Sequence, residues 1–199
     1  MINYGLLHEA SHYYTGLGYE RIESPWLVTE AISNITKPLG ISNYYVTKYY
    51  RGDYQKVFVA SGEQSFLYLI NKGFLPKTGK FQTITPCMRN DSFDETHSKY
   101  FMKLELINYS TLSDSSFTMS NVEDMSFHAM KFFESVTSNK EKLVYKYDEY
   151  KENMMDIMYN VNEHEEVELG SYGVRECSFV KWVYGTGLAE PRFSRTVKR

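Results

Sequence analysis

The sequence has few cysteines, no long apolar run and no excess of positive charge. Its two cysteines, Cys87 and Cys177, form no CxxC or metal-ligand spacing, which favours free thiols in a reducing compartment. No apolar run approaches the roughly 18 to 20 residues that span a bilayer, and the N-terminus lacks a basic segment followed by an apolar core. We therefore expect a cytoplasmic protein.

The charge balance excludes a globally basic surface. A net charge of -3 and a pI near 6.0 mean that nucleic-acid binding would depend on a local patch. The C-terminal segment RFSRTVKR is the one basic cluster in the sequence, and a basic tail alone is weak support for such binding.

The composition is that of a folded globular chain. It has 199 residues, of which 42% are hydrophobic and 24% charged, and the 18 tyrosines and 12 phenylalanines argue against disorder. This length suits one well-cored domain, which we expect to span residues 1–199.

The spacing of apolar residues predicts an α+β fold with a mostly antiparallel sheet flanked by helices. Helical periodicity occurs in residues 3–17, 28–37, 63–73 and 121–139, whereas residues 80–89, 99–110, 154–161 and 167–177 have strand character. Segment 143–150 is ambiguous between strand and loop. Residues 80–110 therefore predict a β-hairpin with Arg89 near its tip.

Three separate segments share an order and spacing with a known enzyme family. They are GYERIESP (18–25), RNDSFDETHSKYFMKLE (89–105) and YGTGLAEPR (184–192). Together they resemble motifs 1, 2 and 3 of class II aminoacyl-tRNA synthetases. The resemblance implies the synthetase fold, with ATP and Mg²⁺ as cofactors. It also implies a homodimer through Gly18–Pro25, because motif 1 forms the dimer interface in this family.

The second segment carries the most specific spacing. Counted from Arg89, a histidine (His97), a phenylalanine (Phe101) and a glutamate (Glu105) follow at offsets of eight, twelve and sixteen residues, as in the lysine and aspartate branches. The resemblance implies that Arg89 binds the α-phosphate, that His97 reaches the outer phosphates, that Phe101 stacks on adenine and that Glu105 faces the amino acid. Asp91 replaces the family's usual glutamate in the ATP site.

The third segment resembles Gly-x-Gly-x-Gly-x-x-Arg, with Ala189 in place of the third glycine. The resemblance implies that Gly185 and Gly187 let the backbone pass close to ATP and start a helix. Arg192 would lie across the adenine and hold the γ-phosphate, as a second catalytic arginine beside Arg89.

A fourth segment, ELGSYGVR (168–175), resembles the strand before motif 3 in the aspartate and asparagine branches and in ammonia-dependent asparagine synthetase. The resemblance implies that Glu168 binds Mg²⁺ and that Ser171 and Arg175 enter the amino-acid pocket. The second metal ligand of the family would fall on Val161, and Asp156 is our candidate to replace it.

The loop ASGEQ resembles by position the one that binds the substrate α-amino group in several branches. This nominates Ser61, Glu63 and Gln64. An N-cap and first helical turn explain the same residues equally well.

These features predict ATP-dependent formation of an aminoacyl-adenylate, with a tRNA acceptor end or another molecule as the acceptor. Few residues precede motif 1 or follow motif 3, so we expect no anticodon recognition. Asp91, and Thr96 in place of a second arginine, favour a rival function, that of a non-catalytic paralogue acting as a regulatory or binding subunit. A second rival is an amide-forming ligase of the asparagine-synthetase type, and a third is a coincidental match of the motifs.

Overall fold

The computed structural model describes residues 1–37, 48–51, 54–89, 100–113, 115–147 and 153–198. Its helices are α1 (Tyr4–Gly16), α2 (Glu30–Ile35), α3 (Gly62–Asn71), α4 (Met119–Val136) and α5 (Arg192–Thr196), with a 3-10 turn at Lys140–Lys142. Its strands are β1 (Glu20–Arg21), β2 (Leu27–Val28), β3 (Lys48–Arg51), β4 (Tyr54–Phe58), β5 (Thr78–Met88), β6 (Tyr100–Ser110), β7 (Leu143–Tyr147), β8 (Met154–Asn162), β9 (Glu165–Cys177) and β10 (Val180–Glu190).

A seven-stranded sheet organises the fold, in the order β1-β5-β6-β10-β9-β8-β7. All its neighbouring strands are antiparallel except β1 and β5, which are parallel. A smaller antiparallel sheet has the order β2-β4-β3. The predicted α+β class with a mostly antiparallel sheet is confirmed.

The two faces of the large sheet pack against different layers. Because side chains alternate along a strand, Leu104 and Leu106 of β6 point to one face and Ile107 points to the other. The first face packs against α1, α4 and α5 around Tyr14 and Phe133. The second face, which we call the cavity face, packs at one end against α3 and the small sheet.

The predicted elements recur with shifted ends. The helices predicted at 3–17, 28–37, 63–73 and 121–139 correspond to α1, α2, α3 and α4, and the ambiguous segment contains β7. The segment GYERIESP contributes only the two-residue strand β1, because the chain leaves the sheet after Ile22 donates its N–H to the Gln82 carbonyl. Within the described ranges, no helix is both long and apolar enough to cross a membrane.

Candidate functional site

A cavity of about 210 Å³ opens on the cavity face, where four central strands of the large sheet meet the start of α3. It is below the roughly 300–1,000 Å³ of pockets for drug-sized ligands, which suits a small ligand such as an amino acid. Its lining comes from distant parts of the chain: Thr36, Ala60, Ser61, Glu63, Gln64, Arg89, Lys103, Glu105, Glu168, Ser171, Arg175, Tyr184 and Thr186.

A β-bulge in β9 brings Glu168 to the cavity face. Ile157 of β8 pairs with Gly170 and Met158 pairs with Glu168, which leaves Leu169 as the extra residue. The extra residue changes the alternation, so Glu168 and Ser171 point to the same side although they are three apart. Asp156 pairs directly with Ser171 and therefore shares this face.

Arg89 lies at the end of β5, on the edge of the cavity. Its Nε–H donates to the Ala60 carbonyl at 3.0 Å, and its guanidinium carbon lies 5.0 Å from the centre of the Phe101 ring on β6. The strand register pairs Cys87 with Phe101, and Arg89 follows Cys87 by two residues. The side chains of Arg89 and Phe101 therefore lie on the same face of the hairpin. A planar cation at the edge of the cavity thus lies beside an aromatic ring. The contacts with a phosphate and an adenine that the resemblance implies for Arg89 and Phe101 remain predictions.

Glu63 is a buried carboxylate that joins three elements. Trp182 on β10 donates its Nε1–H to Oε1 at 2.6 Å, and Arg175 on β9 donates to Oε2 at 2.7 Å. Burial raises the pKa of Glu63 above its usual range, and the Arg175 guanidinium offsets part of this shift. Burial alone would lower the pKa of Arg175, but Glu63, Tyr184 and Glu105 together raise it by more, so the net shift is upward. The Arg175 guanidinium also lies 4.2 Å from the Tyr184 ring centre.

Glu105 on β6 is held from two sides. The Ser61 hydroxyl donates to Oε2 at 2.6 Å, and the Lys103 ammonium lies 2.9 Å from Oε1. Glu105 is only 1% exposed, so these two contacts offset the cost of burying its carboxyl group. Ser61 also accepts the Glu63 N–H at 3.4 Å, as the N-cap of α3. Ser61 therefore fits both interpretations, because it caps the helix and lines the cavity.

Gln64 is engaged within the protein on both sides of its amide. Its oxygen accepts the Ala60 N–H at 2.9 Å, and its nitrogen donates to the Ser33 carbonyl and to the Thr36 hydroxyl at 3.2 and 3.1 Å. These bonds fix the loop before α3 to the end of α2. They favour a role for Gln64 in shaping the cavity.

The site's acidic groups suit a hard divalent cation. Glu168 is about half exposed, with Oε1 3.5 Å from the Arg192 Nη1 atom, and Asp156 lies diagonally across from it on the same face. No group of three or more His, Cys, Asp or Glu side chains in the described part of the chain is arranged around a common metal position. Two carboxylates fit Mg²⁺, which is commonly held by one or two carboxylates and substrate phosphates.

The two glycines of YGTGLAEPR lie inside β10 rather than at a helix start, since α5 begins only at Arg192. A Cβ on Gly185 would lie 2.6 Å from Cδ1 of Tyr172, and one on Gly187 would lie 2.3 Å from Cδ2 of Leu104. Those neighbours belong to the core against the helices. Packing is therefore one physical reason for both glycines, on the face opposite the cavity. Their predicted contact with ATP remains a prediction.

The structure brings most of the predicted site residues together. Of these, Ser61, Glu63, Gln64, Arg89, Glu105, Glu168, Ser171 and Arg175 line one cavity. Phe101 and Arg192 contact its lining residues. Asp91 and His97 lie outside the described residues. Their predicted roles remain predictions.

Sequence reasoning missed five of the lining residues: Thr36, Ala60, Lys103, Tyr184 and Thr186. Alternation could have found one of them, because Lys103 lies two positions before the nominated Glu105 in the same strand. The pairing of Thr186 with Glu105 depends on the sheet register, which a single sequence does not give.

Comparison with known proteins identifies a similar fold but no related sequence. The sequence matches no protein-family profile and no curated protein. The crystal structure of the cytoplasmic serine-tRNA ligase from Naegleria fowleri in complex with AMP has a similar fold, with a TM-score of 0.74 and 16% sequence identity. The alignment covers 96% of this chain and 46% of the ligase chain, so this protein spans about half the length of that enzyme. The chain therefore has a class II aminoacyl-tRNA synthetase-like fold.

Proposed function

We propose that the protein activates an amino acid with ATP, forming an aminoacyl-adenylate and pyrophosphate. The observation that carries this proposal is the convergence of residues from α3, β5, β6, β9 and β10 on one cavity. Eight of them are residues nominated from the sequence: Arg89 and Glu105 of the second motif, Glu168, Ser171 and Arg175 of ELGSYGVR, and Ser61, Glu63 and Gln64 of ASGEQ. A ligase with this fold binds AMP, which supports nucleotide binding here. The same proposal includes a relation to the lysine, aspartate and asparagine branches of the family and a tRNA acceptor end or another molecule as the acceptor. It also includes a homodimer through Gly18–Pro25.

The reaction needs alignment and charge stabilisation more than proton transfer. An amino-acid carboxylate is already a nucleophile at neutral pH; its oxygen bonds to the α-phosphorus of ATP while the bond to pyrophosphate breaks. Arg89 stabilises the charge that develops on the α-phosphate, and Phe101 stacks on the adenine. Glu168 and Asp156 would hold Mg²⁺, which offsets phosphate charge when bound.

The cavity's charges suit the zwitterionic end of an amino acid. Glu63 and Glu105 can face an α-ammonium group, and Arg175 can face a carboxylate or a polar side chain. Each of these groups is already paired within the protein, so the substrate would compete with an existing ion pair or hydrogen bond. We infer that the cavity selects a ligand that carries both an ammonium group and a negative or polar group. A ligand with only one of them would displace an internal contact and leave the carboxylates or Arg175 without a partner.

The test is amino-acid-dependent ATP–pyrophosphate exchange across all twenty amino acids. We expect a signal with one amino acid, a loss of about 100-fold in Arg89→Ala because one charge-stabilising donor is removed, and a comparable loss in Arg192→Ala. Lys72→Ala is the matched control, since Lys72 is an exposed cation at the end of α3. Exchange that survives in Arg89→Ala would contradict the assigned role.

Two outcomes would favour a different function. ATP binding in calorimetry without exchange for any amino acid would favour a non-catalytic binding subunit. Release of AMP with aspartate and ammonia, without aminoacylation of tRNA, would favour an amide-forming ligase.

A further inference from the structure

Helix α1 carries two histidines one turn apart on its exposed side. The Nε2 atoms of His8 and His12 are 3.0 Å apart, the ring centroids are 4.4 Å apart, and the ring planes are perpendicular. Neither residue lines the cavity, and α1 packs on the other face of the large sheet. The pair is therefore separate from the proposed adenylation site.

The separation of the two nitrogen atoms matches shared coordination of a metal ion. With metal–nitrogen distances of about 2.0–2.1 Å, a right angle at the metal puts two ligand nitrogens about 2.9 Å apart, and a tetrahedral angle about 3.4 Å apart. The observed 3.0 Å lies within this range. One Nε2–H donates to the other Nε2 in the ligand-free pair, and a metal ion would take the place of that proton.

The rest of the helix fixes the backbone under this pair. Leu7, Ala10 and Tyr14 are buried against the sheet, and the Asn3 side chain accepts the Leu6 N–H as the N-cap. Because the opposite side of α1 packs on the sheet, the backbone positions of His8 and His12 are fixed one turn apart. Metal binding then starts from two nitrogen atoms that already lie 3.0 Å apart, which keeps its entropic cost low.

We propose that His8 and His12 form a surface site for a divalent transition-metal ion such as Zn²⁺, with water completing the coordination. Imidazole nitrogens favour Zn²⁺, Ni²⁺ and Cu²⁺, whereas Mg²⁺ prefers oxygen ligands. The site goes beyond the proposed activity and does not depend on it. Its ligand class also differs from that of Glu168 and Asp156.

The experiment is calorimetric titration of the untagged full chain with Zn²⁺ in the presence of excess Mg²⁺, which keeps the cavity carboxylates occupied. The variants are His8→Gln, His12→Gln and the double substitution, and circular dichroism verifies that each is folded. Glu9→Gln is the matched control, because Glu9 is an exposed polar residue on the same helix. We expect one fewer zinc ion per chain in the double variant, at least a tenfold loss of affinity in each single variant, and less than a twofold change in the control.

The proposal stands only if the double variant loses one zinc equivalent and each single histidine variant weakens binding by more than threefold relative to Glu9→Gln. Any other result overturns it. Failure here leaves the adenylation proposal untouched, since pyrophosphate exchange does not involve α1's exposed side.

Discussion

Replacing Gly185 by alanine separates a packing role from a nucleotide-binding role. A Cβ there would lie 2.6 and 2.9 Å from two ring carbons of Tyr172 and 2.5 Å from the Met125 sulfur. The methionine can move, but the tyrosine is fully buried and its hydroxyl donates to the Thr186 carbonyl at 2.7 Å. Relief of the clash therefore requires the ring or β10 to move by roughly 0.9 Å to reach ordinary contact.

We expect this substitution to lower the free energy of unfolding by about 2 kcal/mol. Overpacking a well-filled core costs about 1–3 kcal/mol, and the anchored ring argues for the upper part of that range. The alanine recovers about 0.4–1 kcal/mol by restricting the unfolded chain. In urea, with a slope of about 2–3 kcal/mol per M, the midpoint should fall by about 0.7–1 M.

The control is Gly16→Ala, because a Cβ at the end of α1 would meet nothing within 4 Å. It should leave the midpoint unchanged or raise it. ATP affinity of folded Gly185→Ala should stay within about threefold of the original protein, since the new methyl group points away from the cavity. An unchanged urea midpoint together with lost ATP binding would refute the packing argument and favour direct contact between this backbone and the nucleotide.

Two further predictions concern buried carboxylates. Trp182→Phe removes the donor to Oε1 of Glu63 and should cost about 1–3 kcal/mol in urea denaturation, because a buried acceptor loses its partner; a loss below about 0.5 kcal/mol would show that water replaces the indole. Burial raises the pKa of Glu190 above its ordinary value of 4.5, and hydrogen bonds from Ser194 and Asn3 offset part of the shift. The folded chain thus holds this proton more tightly than the unfolded chain, so the Glu190 contribution to stability falls as pH rises from about 4.5 through the folded pKa. Glu190→Gln should make the decline in stability above about pH 4.5 smaller, and an unchanged decline would contradict the assignment.

Local patterns predict three of the four strands that line the site, β5, β6 and β9, but not β10, whose glycines are expected from the sequence to start a helix. Alternation in β6 puts Phe101, Lys103 and Glu105 on one side and buried leucines on the other, which is the signal of a strand with two different faces. The helical periodicity of α3, with Ser61 before it, predicts that helix equally clearly. These features depend on neighbours within a few residues, which a sequence displays directly.

Contacts between distant strands were not predictable in the same way. Glu63 was nominated to bind an α-amino group, but both of its oxygens bond to residues more than 100 positions away. The extra residue Leu169 decides which way Glu168 points, and although Gly170 is compatible with a bulge, ELGSYGVR does not identify which residue is the extra one. Likewise, the glycines of β10 are explained by Tyr172 and Leu104, which come from other strands. These contacts form only when the strands pair in their final register in the folded protein.

The bond between Trp182 and Glu63 also gives the protein an internal optical reporter. The chain has two tryptophans; Trp182 is fully buried and Trp26 is 55% exposed. A ligand that competes for Arg175 would redistribute the charge on Glu63 and so alter the field at the indole to which that carboxylate is bonded. In a Trp26→Phe variant, the intrinsic fluorescence of a single residue would then follow occupancy of the cavity, without a label and without turnover.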